Sequence, residues 1–116
     1  MKRDMVLFLE DIFENVNLID NSTKNMSKKE FKENRDIQDA TIRRIEIIGE
    51  AVKNISLNFR NKYPKVEWKK IAGTRDILTH AYFGVDLDKI WEVVKNELPK
   101  LKKDIKDILE KERKDD

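Results

Sequence analysis

The stretch "DLDKIWEVVKNELPKLKKDIKDIL" (residues 86–109) decides the fold class. Its apolar residues Leu87, Trp91, Val94, Leu98, Leu101, Ile105 and Ile108 alternate spacings of four and three, the seam of a helix that packs along its full length. Asp86 is placed to cap that helix. Pro99 sits inside it and removes one hydrogen bond, which predicts a kink rather than a stop because the apolar phase continues across it.

Working outward, helix is the pattern that recurs. Met5, Phe8, Leu9, Ile12, Phe13, Val16 and Ile19 form one stripe over about four turns. Asp4 can cap this first helix, and "IDNSTKN" (19–25) breaks it with side chains that compete for backbone hydrogen bonds. "SKKE" (27–30) supplies a capping box, Ser27 with Glu30, for a short helix anchored by Phe31. A long helix from about Asp36 carries Ile37, Thr41, Ile45, Ile48, Val52, Ile55 and Phe59 on one face. Gly49 lies in its interior, where glycine costs roughly 1 kcal/mol relative to alanine and often marks close approach of another helix. "NKYPKVEW" (61–68) reads as a connector, with Pro64 pushing Tyr63 out of helical geometry. A short helix from Glu67 to Ala72 follows, then a second helical stretch that Gly84 would end.

No β-type alternation competes. The chain reads as all-α, a bundle of four to six helices around a long antiparallel pair. Its 116 residues fit one domain, 1–116, with about 110–116 ("KERKDD" closing it) as a frayed end.

Composition narrows the function classes. Charged residues make up 41% of the chain and hydrophobic ones 39%, a balance that suits amphipathic helices with broad solvated faces. Cysteine is absent, which excludes disulfides, a thiolate nucleophile and Cys-based metal sites. "MKRDMVLFLEDIF" (1–13) has acids among its apolar residues and is no signal peptide, and no apolar run reaches membrane length. A cytoplasmic protein with no membrane partner is expected.

The net charge of +2 hides an uneven distribution. Arg60, Lys62, Lys65, Lys69, Lys70 and Arg75 face a single acid, Glu67, which gives +5 in sixteen residues and leaves −3 for the rest. Local cation density of this kind suits a phosphate backbone, and Tyr63 and Trp68 within it could stack bases. The bland alternative is a solvated connector whose aromatics face the core. For Trp68 the core reading is preferred, and for the lysines both readings stay open.

"GTRDILTHAYFG" (73–84) holds the chain's one histidine. On a helix, Asp76 and His80 share a face, so the carboxylate can hold one ring nitrogen and raise the imidazole's basicity. Arg75 lies about 140° away by helical geometry, close enough to border the same cleft. An arginine fork grips a phosphodiester and an imidazole moves protons at neutral pH. Together they suit metal-independent RNA cleavage, in which the ribose 2′-OH attacks the adjacent phosphate. Two proton transfers need an acid and a base, and a symmetric homodimer would supply the second imidazole. Glu46 and Glu50 also share a face, but with Arg43 and Lys53 at helical spacing they read as ion-paired, or as an edge that contacts a partner, rather than as catalytic carboxylates or metal ligands.

The runs "RRIEIIGEAVKNIS" (43–56) and "YPKVEWKKIAGTRDILTHAYFGVDLDKIWEVVKNELPKL" (63–101) resemble the HepT-like toxin family of the HEPN superfamily. "RDILTHAY" (75–82) fits that family's R-x4-H-x-Y motif, with Ala81 where glycine is more frequent. The resemblance implies a HEPN-like helical bundle that dimerises and forms a composite, metal-independent endoribonuclease site with no cofactor. It implies Arg75 and His80 as the catalytic pair and Asp76 as their support. It further implies a type VII-like toxin–antitoxin pair, in which an MntA-like nucleotidyltransferase silences the toxin by transferring AMP to Tyr82. Arg60, Lys62, Lys65, Lys69 and Lys70 would then serve RNA binding. Two rival readings remain: a non-catalytic HEPN binding subunit of a nucleotidyltransferase, and a helical oligomeric adaptor.

Overall fold

The computed structural model describes residues 2–80 and 86–114, with side chains described for residues 3–74, 78 and 86–114. Seven α-helical segments follow one another: α1 (Lys2–Thr23), α2 (Lys28–Glu33), α3 (Arg35–Lys53), α4 (Leu57–Lys62), α5 (Trp68–His80), α6 (Leu87–Glu92) and α7 (Leu98–Lys114). A π-helical turn, Val93–Glu97, joins α6 to α7. Leu87–Lys114 is therefore one continuous helix, and the described residues form an all-α bundle of six helices.

Helix α1 lies at the centre and has two antiparallel neighbours. Against α3, Arg44 Nη1 donates to the Leu18 carbonyl at 3.3 Å near one end, and the Ser56 N–H donates to Met5 Sδ at 3.4 Å near the other. Against α7, Lys102 meets Asp20 and Arg113 meets Glu10, each at 3.8 Å. The expected long antiparallel pair is thus doubled. The buried stripe of α1 (Leu9, Ile12, Val16, Ile19) meets those of α3 (Ile45, Ile48, Val52) and α7 (Leu101, Ile105, Ile108) in one core. Helix α5 packs on α3 and runs antiparallel to the last helix, with Lys70–Glu97 at 3.1 Å and Lys100–Glu67 at 3.4 Å.

Small α2 clips this arrangement. Ser27 and Glu30 form the capping box expected from the sequence, and Phe31 is buried with its ring 5.2 Å from that of Trp91. Lys28 and Lys32 reach Asp88, at the start of α6, at 3.0 and 3.2 Å. The two N–H donors hold the Asp88 carboxyl below the usual aspartate range. Asp86 caps α6 through the Lys89 N–H at 3.1 Å.

Several boundaries differ from the sequence reading, each for a local reason. Helix α1 begins at Lys2, so Asp4 lies in its first turn rather than at its cap, and the helix runs on to Thr23. There Thr23 Oγ1 donates to the Ile19 carbonyl at 2.7 Å, a bond that serves the helix rather than breaking it. The long helix divides after Lys53: Ser56 Oγ accepts the Phe59 N–H at 3.2 Å and starts α4 afresh. Ile55 and Phe59 stay buried across the break, which is why their apolar phase disguised it. The expected helix at Glu67–Ala72 and the stretch after it are one, α5. Gly84 lies outside the described residues.

At Pro99 the helix widens instead of stopping. The Leu98 N–H donates to the Val93 carbonyl five residues back, and the extra residue lets Val93 and Val94 both face the core. The tail is not frayed through Lys114, because α7 continues there and Glu112 is 2% exposed. Its carboxylate accepts from the Tyr63 hydroxyl and from Lys62 Nζ, pinning the end of α7 to the connector before α5. Among the described residues no helix is long and apolar enough to cross a membrane.

Candidate active site on the motif helix

The motif helix is held at its beginning by the connector. Pro64 keeps Tyr63 at φ −127° and ψ 66°, outside helical geometry. The chain then turns, and buried Trp68 donates its indole N–H back to the Tyr63 carbonyl at 3.0 Å. Trp68 is therefore core, as preferred from the sequence, and Tyr63 is also buried, its ring 5.2 Å from that of Phe59. Neither offers a stacking surface to a base.

Further along, α5 turns Ile71, Thr74 and Leu78 inward; Thr74 and Leu78 are buried and Ile71 packs on the core. Thr74 Oγ1 donates to the Lys70 carbonyl at 3.0 Å, which satisfies its hydroxyl within the helix. At about 100° per residue, positions 69, 73, 76 and 80 then fall on the opposite, outward face. Asp76 and His80 share that face by register, while Arg75 falls on the flank of the helix, one turn after Ile71. Positions 76 and 80 are on the other side of α5 from a cavity of about 240 Å³ above Ile71 and Leu101. The side chains of Arg75, Asp76 and His80 lie outside the description, as do residues Ala81, Tyr82 and Gly84 entirely.

The basic window separates into groups with different work. Arg60 Nη2 donates to the Val52 carbonyl at 2.7 Å and its Nε to the Ile55 carbonyl at 3.1 Å, so it closes the C-terminal end of α3. Lys62 binds the buried Glu112 carboxylate at 2.9 Å. Lys65 lies 3.8 and 3.6 Å from Asp104 and Asp107. Lys70 pairs with Glu97 and Glu67, and the hydrogen bond and charge of Glu97 raise its pKa above the usual lysine value. Lys69 differs: it is exposed and, among the described residues, makes no ion pair. From the sequence the five read as equivalent cations, because the acids that hold Lys62, Lys65 and Lys70 on the last helix lie far away along the chain.

Of the two acidic candidates on α3, Glu46 has the ion pair expected for it. Arg43 pairs with Glu46 at 3.7 Å along α3, as its spacing suggests. Glu112 was missed as a structural residue. The available signal is its position, since 112 continues the 98–101–105–108 seam in a segment whose composition reads as solvated.

Comparisons with known proteins agree with the family resemblance. The sequence profile described as "Ribonuclease HepT-like" matches residues 12–108. In Methanocaldococcus jannaschii, "Putative RNase MJ1216" is 48% identical over 93% of this chain and 89% of its own length. "Probable ribonuclease HepT" of Thermococcus cleftensis is 44% identical over 88% of this chain and 93% of its own. A third relative, "Gamma-glutamylcyclotransferase and putative RNase MJ0434" of M. jannaschii, is 49% identical over 95% of this chain, which spans 50% of that protein. No solved structure matches the chain.

Proposed function

The chain belongs to the HepT-like ribonuclease family, and on that premise we propose that it is a metal-independent endoribonuclease whose site lies on the outward face of α5. The observation that carries the reading is the register of that helix. Thr74 and Leu78 anchor the inner face in the core, which places positions 76 and 80 on the opposite face by register, with Arg75 on the flank of the helix. A histidine kept for packing belongs on the inner stripe.

In this reading Arg75 grips the scissile phosphodiester. One imidazole accepts the proton of the ribose 2′-OH, and the 2′-oxygen attacks phosphorus. The bond from phosphorus to the 5′-oxygen breaks, and a protonated imidazole gives that oxygen its proton. The products carry a 2′,3′-cyclic phosphate and a 5′-hydroxyl. A chain with one histidine supplies one imidazole, so a homodimer that brings two motifs across one cleft supplies both partners. Asp76, one helical turn before His80, steadies the ring and favours its protonated form.

Tyr82, two residues beyond His80, is the proposed acceptor of AMP from an MntA-like nucleotidyltransferase, the antitoxin of the pair. The added phosphodiester would compete with RNA for Arg75, and the adenosine would fill the cleft. RNA would also meet the cations between residues 60 and 70. By the geometry above, Lys69 is the most available of them, then Lys65 and Lys70, with Lys62 and Arg60 committed to internal contacts.

The test incubates single-stranded RNA with the purified protein in EDTA, after mass spectrometry has established that Tyr82 is unmodified. The expected result is cleavage leaving 2′,3′-cyclic phosphate ends. His80→Ala and Arg75→Ala should each lower the rate by about 10²-fold or more while thermal unfolding stays close to that of the parent. Intact RNA with the unmodified protein, or cleavage undiminished in both variants, would sink the proposal.

A further inference from the structure

Among the described residues nothing explains Gly73. It stands in the interior of α5, where glycine costs stability relative to alanine. Among the described residues no glycine has a positive φ, so no left-handed backbone requires it. A Cβ built at Gly73 would meet nothing within 4 Å, so no neighbouring helix requires it either. Gly49, by contrast, is buried in α3. What remains for Gly73 is clearance for something that comes from outside the chain.

We infer that Gly73 is the point where the RNA strand crosses the motif helix, with Lys69 holding a phosphate beyond it; this rests on the ribonuclease reading above. The two observations are independent. Gly73 leaves open space on the outward face of α5. Lys69, one turn earlier on that same face, is the exposed cation of the window without an ion pair among the described residues. From position 69 to position 80 the helix rises about 16 Å at 1.5 Å per residue. The face thus reads, in order, a cation, a bare stretch of backbone, and the motif positions 76 and 80.

A sugar–phosphate backbone is a ridge, and glycine is the residue that lets another backbone or ligand come close. A larger side chain at 73 would lift the strand away from the helix between its two points of attachment. The cation decides the class of occupant. An unpaired lysine beside an open helix surface calls for an anionic ligand, which the phosphodiester of RNA provides. Lys70, the next residue, points its charge to Glu97 on the last helix and takes no part.

The experiment compares the full chain with Gly73→Leu, Gly73→Ala, Lys69→Ala and, as a control outside this face, Lys100→Ala. Four readouts are taken: cleavage of single-stranded RNA in EDTA, binding of an oligonucleotide made uncleavable by a 2′-deoxy at the scissile position, oligomeric state by sedimentation, and thermal unfolding. Gly73→Leu should unfold no earlier than the parent, keep its oligomeric state, and lose tenfold or more in kcat/KM with weaker binding. Gly73→Ala should show a smaller loss of the same kind, which guards against a folding defect in the leucine variant. Lys69→Ala should lower the slope of log Kd against log salt by about 0.7, one phosphate contact on a single strand. Lys100→Ala should leave that slope unchanged.

Two outcomes overturn the inference while the ribonuclease reading stands. One is a parent that cleaves RNA with Gly73→Leu cleaving equally well. The other is Gly73→Leu changing the oligomeric state, which would make this face a contact between two copies of the chain. A parent that neither cleaves nor binds RNA removes the ribonuclease reading itself, and the inference with it.

Discussion

Helices α7 and α5 are built by different rules. In α7 every residue is accounted for by packing or by solvation. Leu98, Leu101, Ile105, Ile108, Leu109 and Glu112 are buried, and the remainder is lysine, aspartate, glutamate and arginine apart from Pro99 at its start. In α5 the inner stripe is weaker, with Thr74 between Ile71 and Leu78, and the outer face holds a glycine and the single histidine of the chain. A helix face that only meets water is served by interchangeable Lys and Glu with good helix propensity. On the function proposed above, the glycine and the histidine of this outer face answer to another molecule, the RNA, rather than to the fold.

The strongest way to break the comparison is to attack α7 where it is pure packing. Ile105 of α7 is fully buried in the core. Ile105→Ala removes its contacts and leaves a cavity, and should cost about 2–5 kcal/mol in urea unfolding. Substitutions on the outer face of α5 should move stability by far less and cleavage by far more. A small loss at Ile105 would mean that α7 is less committed to the core than its burial indicates.

Glu112 comes next. Its carboxylate is buried and takes a hydroxyl donor from Tyr63 and an ammonium donor from Lys62. Hydrogen bonds to charged groups contribute about 1.5–3 kcal/mol, so Glu112→Ala should destabilise the chain on that order. Hydrogen exchange should show the loss concentrated in the end of α7 and the connector at 63–67. A truly frayed tail would tolerate this change with no effect.

These two residues also mark what the sequence could and could not disclose. Ile105 was legible because burial follows the helical period, and period survives in a bare sequence. Ser27 with Glu30, and Asp86, were legible because a cap is a local bond between neighbours. The division between α3 and α4 was not, since Ile55 and Phe59 keep the apolar phase across a backbone break. Glu112 was hidden for another reason: a carboxylate reads as solvated until its partners are known, and Tyr63 is 49 residues away. Separation along the chain likewise hid the pairing of Lys65 with Asp104 and Asp107 and of Lys70 with Glu97, so among the described residues one basic window resolved into a capping arginine, paired lysines and Lys69 only in three dimensions. At the motif, the pairing of positions 76 and 80 on one face was legible from spacing. Which way that face points was not, because it depends on where Thr74 and Leu78 find their neighbours.

Gly73→Ala sharpens the contrast from the side of α5. The added methyl meets nothing within the chain, so helix propensity should act alone and raise stability by up to about 1 kcal/mol. Thermal unfolding checks this directly. A destabilised alanine variant would show that the space over Gly73 is needed for folding rather than for a ligand.

The smallest effect lies at the clip between α2 and α6, which holds the start of the last helix. Lys28 and Lys32 keep the Asp88 carboxyl below its ordinary range in the folded chain. A group with a depressed folded pKa contributes stability that is present above its unfolded pKa and is lost as pH falls through the folded value. The contribution should therefore be full at neutral pH, begin to fade below the usual aspartate pKa, and be gone once Asp88 is protonated in both states. Asp88→Asn removes the titration. Urea midpoints of parent and variant should differ slightly at pH 7, where these exposed pairs are screened by water and salt, and converge as the solution is acidified. A gap that widened on acidification would reverse the sign of the linkage.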